Sequence, residues 1–140
     1  MLTIALPKGR IADETLDRFE KAFGEKFVFE DRKLILEKSG FKFLNVRNQD
    51  VPTYVMHGAA DLGVVGLDVL EEKEYDLIKL LDLKLGRCKV AFGLRAGEKL
   101  NFDKSKITIA TKHEKIAKKY FEQKAMAVEI IKLYGSIELA

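Results

Sequence analysis

Apolar residues recur along this chain at two spacings, and the two spacings alternate. Thr3 to Leu6 is a short apolar run that reads as a buried strand. Pro7 cannot donate to a ladder and ends it. Ala12, Thr15, Leu16, Phe19, Ala22 and Phe23 then repeat at helical spacing, with Asp13, Glu14, Asp17, Arg18 and Glu20 on the other face. This pattern predicts an amphipathic helix from Ile11, with Gly24 as its C-cap. Phe27 to Phe29, Leu34 to Leu36 and Phe41 to Val46 read as strands, and Ser39-Gly40 as a hairpin turn between the last two. Asp50 is placed to N-cap a helix from Val51 to His57, with Pro52 in its first turn and Gly58 ending it.

Leu62 to Val65 reads as a short buried strand, where Gly63 and Gly66 suggest close backbone approach. Asp68 with Glu71 forms a capping-box-like start to the next helix. Leu77 to Leu83 and Val90 to Leu94 read as further strands, and Ala96 to Ser105 as a polar surface loop. Ile107 to Ala110 is the next strand. Thr111-Lys-His-Glu114 has the form of a capping box opening a basic helix to Lys124, with Ile116, Ala117, Tyr120 and Phe121 as its apolar face. Val128 to Leu133 is the last strand, and Tyr134 begins another turn and helix.

Strands alternating with helices predict an α/β fold with a largely parallel sheet. A chain of 140 residues allows one domain or two small lobes. The boundary is expected near Gly86 to Val90, giving lobes over residues 1–88 and 89–140. Hydrophobic residues make up 47% of the chain with only 2 Pro, which excludes a disordered class. A net charge of +3, with no basic stripe interleaved with aromatics, argues against nucleic acid. The single cysteine, Cys88, excludes an internal disulfide and fits a reducing cytosol. No apolar run is long enough to span a bilayer and no signal-peptide pattern is evident, so the cytoplasm is the expected location.

In open α/β sheets ligands sit beyond the carboxyl ends of the strands. The turn Pro7 to Arg10 falls there: Gly9 turns freely, Lys8 and Arg10 bracket it, and a helix N-terminus follows. Free N–H groups and the helix dipole would favour an anion at that point. An ordinary turn with two solvated cations fits the same residues. Gly66 to Asp68, Thr111 to Glu114 and Tyr134 to Glu138 occupy equivalent positions. Together these turns offer Lys8, Arg10, Thr111, Lys112 and Ser136 to phosphates, and Asp68 and Glu138 as carboxylates. The set suits a polyanionic small molecule with a divalent cation. Taken singly, Thr111, Asp68 and Glu114 read first as helix caps. His57 and His113 are too few and too far apart for a metal site, and Cys88 has no neighbouring histidine to activate it. Neither common glycine-rich nucleotide loop occurs.

Several stretches closely resemble, in order and nearly end to end, the catalytic chain of ATP phosphoribosyltransferase. They are Leu2-Thr-Ile-Ala-Leu-Pro-Lys-Gly-Arg10, Arg32-Lys-Leu-Ile35, Val46-Arg-Asn-Gln-Asp-Val-Pro-Thr-Tyr-Val55 and His57-Gly-Ala-Ala-Asp-Leu-Gly-Val-Val-Gly66. Leu81-Asp-Leu-Lys-Leu-Gly-Arg-Cys88, Ile109-Ala-Thr-Lys112 and Ile131-Lys-Leu-Tyr-Gly-Ser-Ile-Glu-Leu-Ala140 continue the match. The resemblance implies a two-lobed fold of the type II periplasmic-binding-protein kind, with mixed, largely parallel sheets. It implies transfer of the phosphoribosyl group of phosphoribosyl pyrophosphate to N1 of ATP, with Mg²⁺, in the first step of histidine biosynthesis. An oxocarbenium-like transition state with charge growing on pyrophosphate needs positioning and cations more than a strong base.

Carried over by residue, the resemblance places basic substrate contacts at Lys8, Arg10 and Arg32, with Gly9 in the same turn. Arg10 and Arg32 are expected to steady the leaving pyrophosphate. A charge paired with Glu30 or Asp31 is the competing reading of Arg32. Asp50, Gly66 and Thr111 are expected to line the site, and Ser136 and Glu138 to begin its phosphoribosyl side. The family's Asp-, Thr- and Gly-bearing loop for the 5′-phosphate does not occur here, which implies a C-terminally truncated chain with an incomplete second lobe. The motif wording resembles the short form, which works as an oligomer with a histidyl-tRNA-synthetase-like regulatory subunit that carries histidine feedback. The alternatives are a non-catalytic small-anion binding module of the same fold, or a component that only contacts partner subunits.

Overall fold

The computed structural model describes residues 1–101 and 106–139. The chain divides into two units, Met1–Arg87 and Cys88–Ala140. In the first, β1 (Leu2–Pro7) leads into α1 (Arg10–Phe23), then β2 (Ile35–Lys38), β3 (Phe41–Val46), α2 (Val51–Met56), β4 (Leu62–Gly63) and α3 (Leu67–Lys73). The strands form one sheet in the order β2-β3-β1-β4. β1 runs parallel to both β3 and β4, and only β2 is antiparallel.

The two-residue period of β1 splits its side chains between two cores. Ile4 and Leu6 are buried with Ala12 and Leu16 of α1 and with Phe27 and Phe43. Ala5 faces the other way, into a second cluster with Val51 of α2 and Ala60. Phe19 stands edge-on to Phe43, with ring centroids 5.0 Å apart. The left-handed residue Gly24 closes α1, its N–H donating to the Glu20 carbonyl at 2.8 Å. Ser39 and Gly40, both at positive φ, make the tight turn between β2 and β3. Gly63 permits α2 to lie directly on β4, because a Cβ there would stand 2.7 Å from Val51 Cγ1.

In the second unit β5 (Ile107–Thr111) and β6 (Val128–Lys132) pair in parallel, linked by α4 (Glu114–Gln123). Among its described residues Ile107, Ala117 and Phe121 are the buried hydrophobics. The chain closes on a 3₁₀ turn at Ile137–Leu139.

Three expected strands are not strands. Phe27 to Phe29 serves the core through its side chains, with Phe27 buried and Phe29 packed against the cluster, but its backbone joins no ladder. Leu77 to Leu83 has the apolar content of a strand but no ladder partner among the described residues, and Ile78, Leu80 and Leu81 are exposed. Val90 to Leu94 likewise joins no ladder; Phe92 instead lays its ring 5.0 Å from that of Phe121. β4 is shorter than the expected Leu62 to Val65 and only partly buried.

The expected caps also differ. Asp50 does precede α2, but it ends a 3₁₀ turn (Asn48–Asp50) and makes no side-chain capping bond. α3 is capped by Gly66, so Asp68 lies within its first turn. Thr111 ends β5 and accepts the His113 N–H at 3.0 Å, while His113 takes the cap position. Within the expected loop Ala96 to Ser105, residues 102–105 lie outside the described residues. Its earlier part turns where the Glu98 N–H donates to the Arg95 carbonyl at 3.0 Å.

Candidate functional site

The parallel pairing puts the carboxyl ends of β1, β3 and β4 at one edge of the first sheet. At that edge the Lys8 N–H donates to the Val46 carbonyl at 2.8 Å, and the Val64 N–H to the Ala5 carbonyl at 2.9 Å. The turns after all three strands therefore emerge together. They carry Lys8, Gly9 and Arg10 after β1, Asp50 after β3, and Gly66 after β4. α1 and α2, which follow the adjacent strands β1 and β3, pack against opposite faces. Two helices leaving neighbouring strands in opposite directions open a crevice at the strand ends, where α/β sheets bind ligands.

Gly9 is the N-cap of α1, at φ 101 and ψ −155, a region essentially reserved for glycine. Its carbonyl accepts the N–H groups of Ala12 and Asp13, at 2.9 and 3.3 Å. No side chain caps this helix start, so its positive dipole end faces outward between Lys8 and Arg10. Arg10 is exposed, and its Nε lies 3.2 Å from Glu14 Oε1 one turn along the helix.

Arg32 reaches the same edge by a different route. The Asn45 N–H donates to the Leu34 carbonyl at 2.8 Å, and Ile35 pairs with Leu44. Because β2 is antiparallel, its start lies beside the end of β3, and Arg32 stands just beyond. Arg32 has positive φ and is exposed. Of the two carboxylates that the competing reading offered Arg32, Glu30 pairs instead with Lys33.

In the second unit the Leu133 N–H donates to the Thr111 carbonyl at 2.9 Å, so the ends of β5 and β6 leave their sheet side by side. Half-buried Thr111 follows one strand. Ser136 and Glu138, both exposed, follow the other, where the Leu139 N–H donates to the Ser136 carbonyl at 3.1 Å. Each sheet thus gathers its own candidates at its own carboxyl edge.

A family model described as "HisG: ATP phosphoribosyltransferase" matches residues 47–140. The ATP phosphoribosyltransferase of Wolinella succinogenes is 70% identical over all 140 residues, which cover 68% of that relative. The chain belongs to the ATP phosphoribosyltransferase family. The relative from Sulfurovum sp. is 65% identical over the same span, again 68% of its length. Among solved structures, the ATP phosphoribosyl transferase (HisG:HisZ) complex from Thermotoga maritima covers the whole chain, with a TM-score of 0.71 and 34% identity. The chain covers 68% of that one. This likeness bears out the expected mixed α/β fold class of the family. Lys8, Arg10 and Arg32 lie before the stretch the family model matches, but within the span shared with both curated relatives.

The fold adds residues to this edge that the sequence does not single out. Arg47 directly follows β3, as Lys8 follows β1, and is exposed. A cation just past a buried strand is its only signal. The side-chain oxygens of Asn45 and Asn48 are buried without a hydrogen-bond partner. Nothing in the sequence distinguishes them from solvated amides, because burial is a property of the packed sheet.

Proposed function

We propose that this protein transfers the phosphoribosyl group of phosphoribosyl pyrophosphate to N1 of ATP, giving phosphoribosyl-ATP and pyrophosphate in the first step of histidine biosynthesis. The observation that carries the reading is the shared carboxyl sheet edge of Lys8, Arg10 and Arg32, with Lys8 and Arg10 flanking an uncapped helix start. Pyrophosphate departs with growing negative charge, and guanidinium groups match its oxygens without deprotonating. Arg10 and Arg32 stabilise that charge, and Lys8 and the backbone at Gly9 hold phosphate oxygens. Asp50 and Gly66 line the same edge. Thr111 lines the edge of its own sheet, and Ser136 and Glu138 begin the phosphoribosyl side.

No group of three His, Cys, Asp or Glu side chains suited to a metal forms among the described residues. In this reading Mg²⁺ enters with the substrates, held mainly by their phosphate oxygens. The protein works as a homo-oligomer with a regulatory subunit of the HisZ kind, a pairing supported by the likeness to the HisG:HisZ complex from Thermotoga maritima. Its place is the cytoplasm, and no described helix is long and apolar enough to cross a membrane.

The test mixes the whole protein with ATP, phosphoribosyl pyrophosphate, Mg²⁺ and a pyrophosphatase, and follows phosphoribosyl-ATP by absorbance, with and without the regulatory subunit. Product formation is expected, and its absence in both arms overturns the reading. Arg32→Ala is expected to lower kcat by about 10²–10³, the usual effect of losing one group aimed at developing charge. An unchanged kcat removes Arg32 from the chemistry.

A further inference from the structure

We propose that Glu30 and Lys33 are positioning residues for Arg32, an inference that rests on the reading of Arg32 as a contact of the departing pyrophosphate. Residues 30–33 form a turn closed by the Lys33 N–H, which donates to the Glu30 carbonyl at 3.0 Å. The side chains repeat that closure, with Lys33 Nζ paired to Glu30 Oε2. Between them Arg32 sits at φ 60, a left-handed conformation that a non-glycine residue keeps only when its surroundings impose it. Both flanks of the turn are fixed. Phe27 is buried in the core on one side, and on the other Leu34 and Ile35 are bonded to the end of β3.

The clamp does two things. It holds the Arg32 backbone so that the guanidinium stands at the sheet edge where Lys8 and Arg10 emerge. It also occupies one of the two carboxylates that precede Arg32: Glu30, two residues away, would otherwise be free to neutralise it. The Lys33 and Glu30 side chains are 62% and 72% exposed, so their pairing adds little to folding stability. A loss of activity on breaking it would therefore report on Arg32 and not on the fold.

The experiment compares Glu30→Gln, Lys33→Gln, the charge-swapped double variant Glu30→Lys with Lys33→Glu, and Arg32→Ala in the whole protein. Each single variant is expected to lower kcat about tenfold, the scale of a small misplacement of a reacting group, with the KM for ATP and the Tm unchanged. Lys33→Gln is expected to be the more damaging, because it releases Glu30 toward Arg32. The swap restores most of the loss. If Arg32→Ala is crippled while both single variants keep full kcat, the clamp is overturned and the site reading stands. If Arg32→Ala keeps full kcat, the site reading itself falls and takes the clamp with it. A measurement independent of turnover is the amide heteronuclear NOE of Arg32, which should drop in both single variants. An unchanged value overturns the clamp.

Discussion

The two units carry comparable candidate turns on very different scaffolds. In Met1–Arg87 a four-stranded sheet is packed on both faces, and Ala5, Leu6, Phe43 and Val51 are fully buried. Among the described residues of Cys88–Ala140 a two-stranded sheet bears the helix α4, and burial reaches only Ile107, Ala117 and Phe121 among the hydrophobics. The units also differ in charge: the first is slightly acidic overall and the second is basic. The first unit presents Lys8 and Arg10 from a strand whose Ile4, Ala5 and Leu6 are buried, and Arg32 from the start of the more exposed edge strand β2. The second presents Thr111, Ser136 and Glu138 from strands with little behind them. A site is held by the sheet beneath it, because turns inherit the rigidity of the strands they leave.

The comparison is tested most severely in the cores. Phe43→Ala should cost about 3–5 kcal/mol, because its cavity lies among Phe19, Phe27 and Phe41, which cannot close over it. Phe121→Ala should cost only about 2–3 kcal/mol, close to the transfer term alone, since its surroundings are open enough to collapse. Urea unfolding of the two variants measures both, and equal losses would erase the contrast between the units. A smaller effect is expected at Gly9→Ala. Space there is open, so the cost is conformational, about 1–3 kcal/mol, and should appear in Tm together with a raised KM. The smallest belongs to Glu14→Gln, which removes an exposed i,i+4 partner of Arg10 and should shift stability by no more than about 0.5 kcal/mol. A larger loss in thermal melting would show that this pair supports the first unit.

Legibility in the sequence follows the range of the forces involved. β1, α1, β3, β5, α4 and β6 are readable because each carries its own periodicity and its own stop signal, such as Pro7 or Gly24. Phe27 to Phe29, Leu77 to Leu83 and Val90 to Leu94 carry the same β-prone residues but form no strands. A helix satisfies its hydrogen bonds within itself, whereas a strand exists only if another edge accepts it. The caps escape a sequence reading for a related reason. Asp50, Asp68 and Thr111 stand near helix starts, but the cap falls where the incoming backbone turns, and the path of the chain out of the preceding strand decides that.

The candidate site divides along the same line. The sequence alone supplied Lys8, Gly9, Arg10 and Arg32, the family resemblance that joins them, and an α/β alternation that puts ligands at strand ends. Only the tertiary structure decided that Arg32, twenty-two residues beyond Arg10, stands at the same edge. It decided equally that Glu30 pairs with Lys33, and that Asn45 and Asn48 bury their side-chain oxygens. The physical reason is register. Residue type and spacing are written along the chain, but which strand end meets which turn depends on the pairing of β2 with β3 and of β3 with β1, and that pairing is set by packing across the whole sheet.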